Sequence, residues 1–138
     1  MKTIYFIACC NKKLNGPEKA EKLYDSPLFK ENLKYAKKIN PDHIFILSAK
    51  YGLLSLKTKI EHYDVTLNNM KVSELKTWSH KVLEQLKKKF DLDKDLFVFL
   101  AGQNYRKYLI SNIKNYQIPL KGLGIGKQLQ RLKHLTNE

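Results

Sequence analysis

The apolar positions of this chain fall into short unbroken runs separated by stretches with helical spacing. Residues 3–8 (TIYFIA), 43–47 (HIFIL) and 96–101 (LFVFLA) are apolar without alternation, as expected of strands covered on both faces. YQIPL at 116–120 reads as a weaker fourth strand. Ser26 and Pro27 have the form of a helix N-cap and first helical residue. Leu28, Phe29, Leu33, Ala36 and Ile39 give that helix one apolar face, and Asn40-Pro41 ends it. Residues 70–90 form a second helix with Val72, Leu75, Val82, Leu86 and Phe90 in register. Residues 104–113 and 126–135 read as two more helices. Between 51 and 69, Gly, Thr, Asn and Tyr mix without a period. A long irregular segment is expected there, and in a small domain such a segment points to function.

Alternating strands and helices predict one α/β domain over residues 1–138, in three layers around a mostly parallel, roughly four-stranded sheet. In such sheets ligands bind beyond the carboxyl ends of the strands. Each expected strand is followed by a polar cluster: CCNKK at 9–13, SAKYG at 48–52, GQNYR at 102–106 and KGLGIGK at 121–127. Residues that leave a strand also belong to turns, so this coincidence alone does not make a site.

Composition changes the picture chiefly through charge. The net charge of +13 favours nucleic acid or another phosphate-bearing partner. The partner expected of the whole chain is nucleic acid or a nucleotide or nucleobase ligand. Lysine supplies 24 of the 26 basic residues, and lysine-coated helices are also simply well solvated. Cys9 and Cys10 are adjacent, which is no disulfide framework. No apolar run is long enough for a membrane span, so a cytoplasmic protein without membrane association is expected. The four histidines are scattered and no C-x-x-C or H-E-x-x-H occurs, so neither a metal nor a cofactor is expected.

Each cluster has a chemical reading and a plain one. Cys9 or Cys10 is a thiol facing a site, or a buried packing residue. Lys13 is a phosphate ligand or nucleophilic amine, or a solvated loop lysine. Ser48 and Tyr51 offer hydrogen bonds, and Gly52 permits a positive φ or a close approach to ligand. Alternatively, the stretch with Lys50 is a polar turn. His62 and Asp64 are candidates for acid–base work. Gly102, Gln103, Asn104 and Arg106 surround a helix start suited to an anion, with Arg106 as a bidentate ligand or as half of a salt bridge. Gly124, Gly126, Lys127 and Arg131 read as a phosphate-binding helix start, or as tight backbone packing. The G-h-G core also suggests a helix-hairpin-helix element, which the extended YQIPLKG before it disfavours.

Read together, C-x-x-x-K, LYDSPLF, ILSAKYGLL, YDVTLNNM, FLAGQNYR and PLKGLGIGKQLQRLK resemble a bacterial and phage family of unknown function. More distantly the order of blocks is similar to the peroxide-stress YaaA family and to the catalytic core of archaeosine synthase, related to uracil-DNA-glycosylase-like folds. The resemblance implies a pocket lined by Cys9 and Lys13 from a first loop and by Ser48, Tyr51 and Gly52 from a second. It also implies Lys13 as a nucleophile toward a modified base. Cys10 stands where that pattern has serine. The expected function is an enzyme that processes a nucleobase, nucleotide or nucleic acid, by N-glycosidic cleavage or base modification. Its catalytic residues would be Lys13, Asp64 and Ser48. Cys9, Tyr51, Gly52, Gly102, Gln103 and Arg106 would bind substrate, and Gly124, Gly126, Lys127 and Arg131 would bind phosphate. The alternatives are a non-catalytic DNA- or RNA-binding protein of stress response or phage defence, and a nucleotide sensor.

Overall fold

Four of the six residues of the first strand, Ile4 through Ile7, are buried in succession, which requires cover on both faces of the sheet. A computed structural model describes residues 1–137. In chain order the elements are β1 (Thr3–Ala8), β2 (Glu18–Lys19), α1 (Ala20–Leu23), α2 (Pro27–Ile39), β3 (His43–Ser48), β4 (Gly52–Ser55) and β5 (Lys59–Ile60). After a 3-10 turn at Leu67–Asn69 come α3 (Val72–Lys87), β6 (Leu96–Leu100), α4 (Gln103–Ile110), β7 (Asn115–Gln117) and α5 (Ile125–Asn137).

The main sheet has the order β4-β3-β1-β6-β7, and β2 pairs with β5 in a separate two-stranded ribbon. β1 is parallel to both β3 and β6, and β6 is parallel to β7, while β4 returns antiparallel along β3. From β1 the chain moves to one side through α2. From β3 it crosses back through α3 to the other side. Right-handed crossovers in opposite directions put α2 and α3 on opposite faces. Accordingly α2 packs with α5, and α3 packs with α4. The α/β, mostly parallel, layered architecture expected from the sequence is present.

The core is aromatic at its centre. Phe6 stacks on Phe97 at 5.8 Å and leans on Phe99 at 5.0 Å, and all three rings are fully buried. Burial of each such ring contributes about 1.5–3 kcal/mol.

Several expectations need correction. The sheet has five strands, not four, because residues 51–69 are not irregular throughout. Gly52–Ser55 is an edge strand in which Leu54 is buried between half-buried or exposed neighbours. Four residues are too few to display a period, so the strand is hidden in the sequence. The SAKYGLL stretch is therefore a hairpin: Ser48 pairs with Gly52 across a three-residue turn. The weak fourth strand sits at Asn115–Gln117 rather than 116–120. Val72 and Ile39, placed on apolar faces, are 57% and 46% exposed, because each lies in a terminal turn of its helix. As the extended YQIPLKG indicated, GLGIGK forms no helix-hairpin-helix: a turn with Gly122 at φ +81° leads into the single helix α5, which begins at Ile125. The helix start at Ser26-Pro27 is as expected, with the Phe29 N–H donating to Ser26 Oγ at 3.1 Å.

Candidate ligand-binding cleft

The chain reverses its direction across the sheet between β1 and β6, so their carboxyl ends diverge and leave a crevice. A cleft of about 700 Å³ occupies that place. Its walls come from the β1 exit (Ala8, Cys9, Cys10, Asn11), the start of α2 (Ser26, Pro27, Leu28) and the start of α4 (Gly102, Gln103, Asn104, Tyr105). Thr66 and Asn68 close one side, and Ile125, Gln128 and Leu129 at the start of α5 close another. Three helix N-termini thus border one cavity. Each leaves first-turn N–H groups without intrahelical acceptors, and Gly102, as the N-cap of α4, brings no side-chain oxygen to occupy them.

Among the described residues, none that lines this cleft has a charged side chain. Its chemistry is that of amides, hydroxyls and thiols over an apolar patch of Leu28, Ile125 and Leu129. Asn104 Nδ2 donates to Asn68 Oδ1 at 3.2 Å, which ties the 66–69 segment to α4. Gln128 Nε2 donates to the Leu123 carbonyl at 2.8 Å. Buried Cys9 Sγ lies 3.3 Å from the Tyr105 hydroxyl, whose ring stands edge-on to Trp78. Burial keeps the Tyr105 phenol protonated. Burial also pushes the Cys10 thiol above its ordinary value, against smaller opposing effects from Ser26 and Lys13. Cys10 is therefore a neutral thiol at pH 7, and its S–H donates to the Lys12 carbonyl at 3.2 Å.

Gly102, Gln103 and Gln128 also border a smaller hollow of about 190 Å³ that contains Arg106 and Lys121. Arg106 is half-buried and donates from Nη1 to the Ala101 carbonyl at 2.9 Å. No carboxylate of the described residues forms an ion pair with it. Desolvation pulls its pKa down from the ordinary value.

Two of the three expected catalytic residues, Lys13 and Ser48, lie elsewhere, at Tyr63. Ser48 is fully buried, its Oγ 2.8 Å from the Tyr63 hydroxyl and accepting from the Tyr51 N–H at 3.0 Å. The Tyr63 hydroxyl lies 2.6 Å from that of Tyr24, and burial holds both phenols protonated. The Lys13 ammonium sits over the Tyr63 ring at 4.4 Å, and Tyr51 meets the same ring edge-on at 5.8 Å. Lys50 turns onto the outer side of Tyr51, 5.3 Å from its ring. Asp64 is exposed and lies 2.9 Å from His62 Nε2. Lys13, Ser48 and Tyr51 are thus brought together, but on Tyr63 and not on the cleft. Cys9, Gly102 and Gln103 do line the cleft, and Arg106 lies beside it. Gly124 and Gly126 are exposed around the start of α5, and Lys127 and Arg131 border a shallow groove farther along that helix.

Sequence reasoning missed Tyr24, Tyr63, Tyr105, Ser26, Asn68 and Gln128. Tyr63 opens the block YDVTLNNM and Tyr105 lies in GQNYR, where more polar neighbours carry the stronger chemical signal. Among the described residues no group of His, Cys, Asp or Glu is arranged to hold a metal ion, and no helix is long and apolar enough to cross a membrane.

No curated protein and no solved structure gives a significant match to this chain. A family model matches residues 4–134, nearly the whole chain, and on that ground the protein belongs to the family of unknown function DUF6884.

Proposed function

We propose that this domain binds a nucleotide-class ligand, with the base and sugar in the β1–β6 cleft and the phosphate toward Arg106. The observation that carries the reading is a half-buried guanidinium without a carboxylate partner among the described residues, beside a neutral, amide-lined cleft at the reversal point of the sheet. A guanidinium partly withdrawn from water gains from an anion that completes its hydrogen bonding. A polar but uncharged cleft suits a neutral heterocycle and sugar. The net charge of +13 adds attraction for a phosphate, and the resemblance to the YaaA and archaeosine synthase families points to nucleobase ligands.

The geometry favours binding over unaided catalysis. N-glycosidic cleavage calls for a carboxylate near the anomeric carbon, and among the described residues no acid or imidazole lines the cleft. Asp64 is engaged by His62 at the surface, and Lys13 is engaged by Tyr63. The domain is thus read as a nucleotide sensor or binding module.

Calorimetric titration with bases, nucleosides and nucleoside monophosphates tests this. The monophosphates should bind at least about tenfold tighter than the nucleosides, as a charge-assisted contact supplies. Arg106→Gln should remove that advantage and leave nucleoside affinity in place. Equal affinity of the phosphorylated and unphosphorylated ligands for the wild type would sink the reading.

A further inference from the structure

Asn32 lies in the middle of α2 and is 4% exposed. Buried amides in helices normally find partners, because an unmet donor or acceptor in the interior costs free energy. The Asn32 amide makes no hydrogen bond to any described residue, and its Oδ1 is wholly shielded from solvent. Among the described residues the other buried side-chain oxygens without a hydrogen-bond or ion-pair partner belong to Ser79 and Glu31, and neither lines the cleft.

Asn32 has an outlet. It borders a hollow of about 70 Å³ that shares Cys9, Cys10, Ser26, Leu28, Gly102 and Gln128 with the main cleft. Two waters would occupy a similar volume. A whole heterocycle does not fit there, but the edge of a ring with one substituent does. The other groups of the hollow are largely accounted for. Ser26 Oγ accepts from Phe29, Cys10 donates to Lys12, and Gln128 donates to Leu123. The free amide is therefore the group left to meet whatever enters; its Oδ1 has no surface open to the hollow as the side chain stands, so a ligand reaches it by turning the amide about χ2, a rotation that breaks no hydrogen bond.

A primary amide presents one donor and one acceptor side by side, whichever way it is turned. Its complement is a planar edge with an adjacent acceptor and donor. Nucleobases present such edges, and asparagine pairs with them bidentately.

We propose that Asn32 is the specificity-determining residue of the cleft, reading the donor–acceptor edge of a nucleobase through the hollow under Cys10. The proposal rests on the nucleotide reading given above and adds the group that selects the base. Leu129 and Ile125 cover the ring from α5, while Arg106 lies on the far side of Gly102 and Gln103 and takes the phosphate.

The experiment is calorimetric titration of the full chain with the common nucleoside monophosphates, in the wild type, Asn32→Leu and Asn32→Asp. Leucine nearly matches the shape and removes the unmet amide. The Asn32→Leu protein should fold and melt about 2–5 °C higher than wild type. Wild type should prefer one base by about tenfold or more, and Asn32→Leu should flatten that preference while retaining the monophosphate-over-nucleoside advantage. Asn32→Asp keeps an acceptor and loses the donor, so it should alter the order of preference. Unchanged preference in both variants, with binding retained, would overturn the base-reading role while leaving the nucleotide reading intact. Unchanged or lower stability with unchanged preference would mean that water normally fills the hollow and meets the amide, which also overturns it. Absence of binding by every base, nucleoside and nucleotide to the wild type would overturn both.

Discussion

Ser48 Oγ lies 2.8 Å from the hydroxyl of Tyr63, with both residues buried. That contact decides how the SAKYG turn is understood. A nucleophilic serine needs a base and an open approach. This one has a protonated phenol on one side, the Tyr51 N–H on another, and the Trp78 indole N–H donating to its own carbonyl at 2.9 Å. Ser48 ties the end of β3 to the segment that carries Tyr63.

The first prediction concerns that knot. Tyr63→Phe removes the hydroxyl between Ser48 Oγ and Tyr24 and leaves two buried hydroxyls short of a partner. The expected cost is about 1–3 kcal/mol by urea unfolding. Tyr51→Phe is the control, because the Tyr51 ring packs on Tyr63 while its hydroxyl bonds to no described residue. It should change stability by less than about 0.5 kcal/mol. Equal effects from the two substitutions would contradict the account of the knot.

Gly52 offers a second test. Its φ is +73°, and a Cβ there would stand 2.5 Å from Gln85 Oε1. Gln85 cannot simply swing aside, since that oxygen accepts from the Leu53 N–H at 2.8 Å and its Nε2 donates to the Tyr51 carbonyl. Gly52→Ala should therefore cost about 2 kcal/mol or more, from left-handed backbone and lost hydrogen bonds together. Thermal melts of Gly52→Ala and of Gly52→Ala with Gln85→Ala would separate the two causes. The double variant should lose less than the sum of the singles if the side chain is what the methyl meets.

The central sheet was legible because its strands are long, apolar and covered on both faces, and the α2 start was legible because Ser26 and Pro27 cap it. β4 escaped because an edge strand of four residues leaves no period in a chain. The site was legible in outline, as polar clusters after strands. Its division was not. Distances in sequence could not say that Lys13, Ser48 and Tyr51 converge on Tyr63, while Cys9 and Gln103 face a different space. Asn32 carried a signal that went unread: it interrupts the apolar face made by Phe29, Leu33 and Ala36, where a polar residue needs a reason.

The last prediction uses Cys10, the half-buried thiol on the cleft wall. Burial disfavours its thiolate, so its pKa lies above the ordinary 9.0, with Cys9 adding to the rise and Ser26 and Lys13 reducing it. The nucleophile in alkylation is the thiolate. At pH 7 Cys10 should therefore react with iodoacetamide more slowly than a free cysteine peptide, and the gap should narrow only as pH rises beyond 9. Mass spectrometry of timed samples from pH 6.5 to 10 reads this directly. A Cys10 that is alkylated faster than the peptide at pH 7 would mean an activated thiol, and would return covalent chemistry to the cleft. The same assay reports occupancy. A nucleotide seated against Cys10 should slow alkylation at every pH, and Arg106→Gln should weaken that protection at a fixed nucleotide concentration.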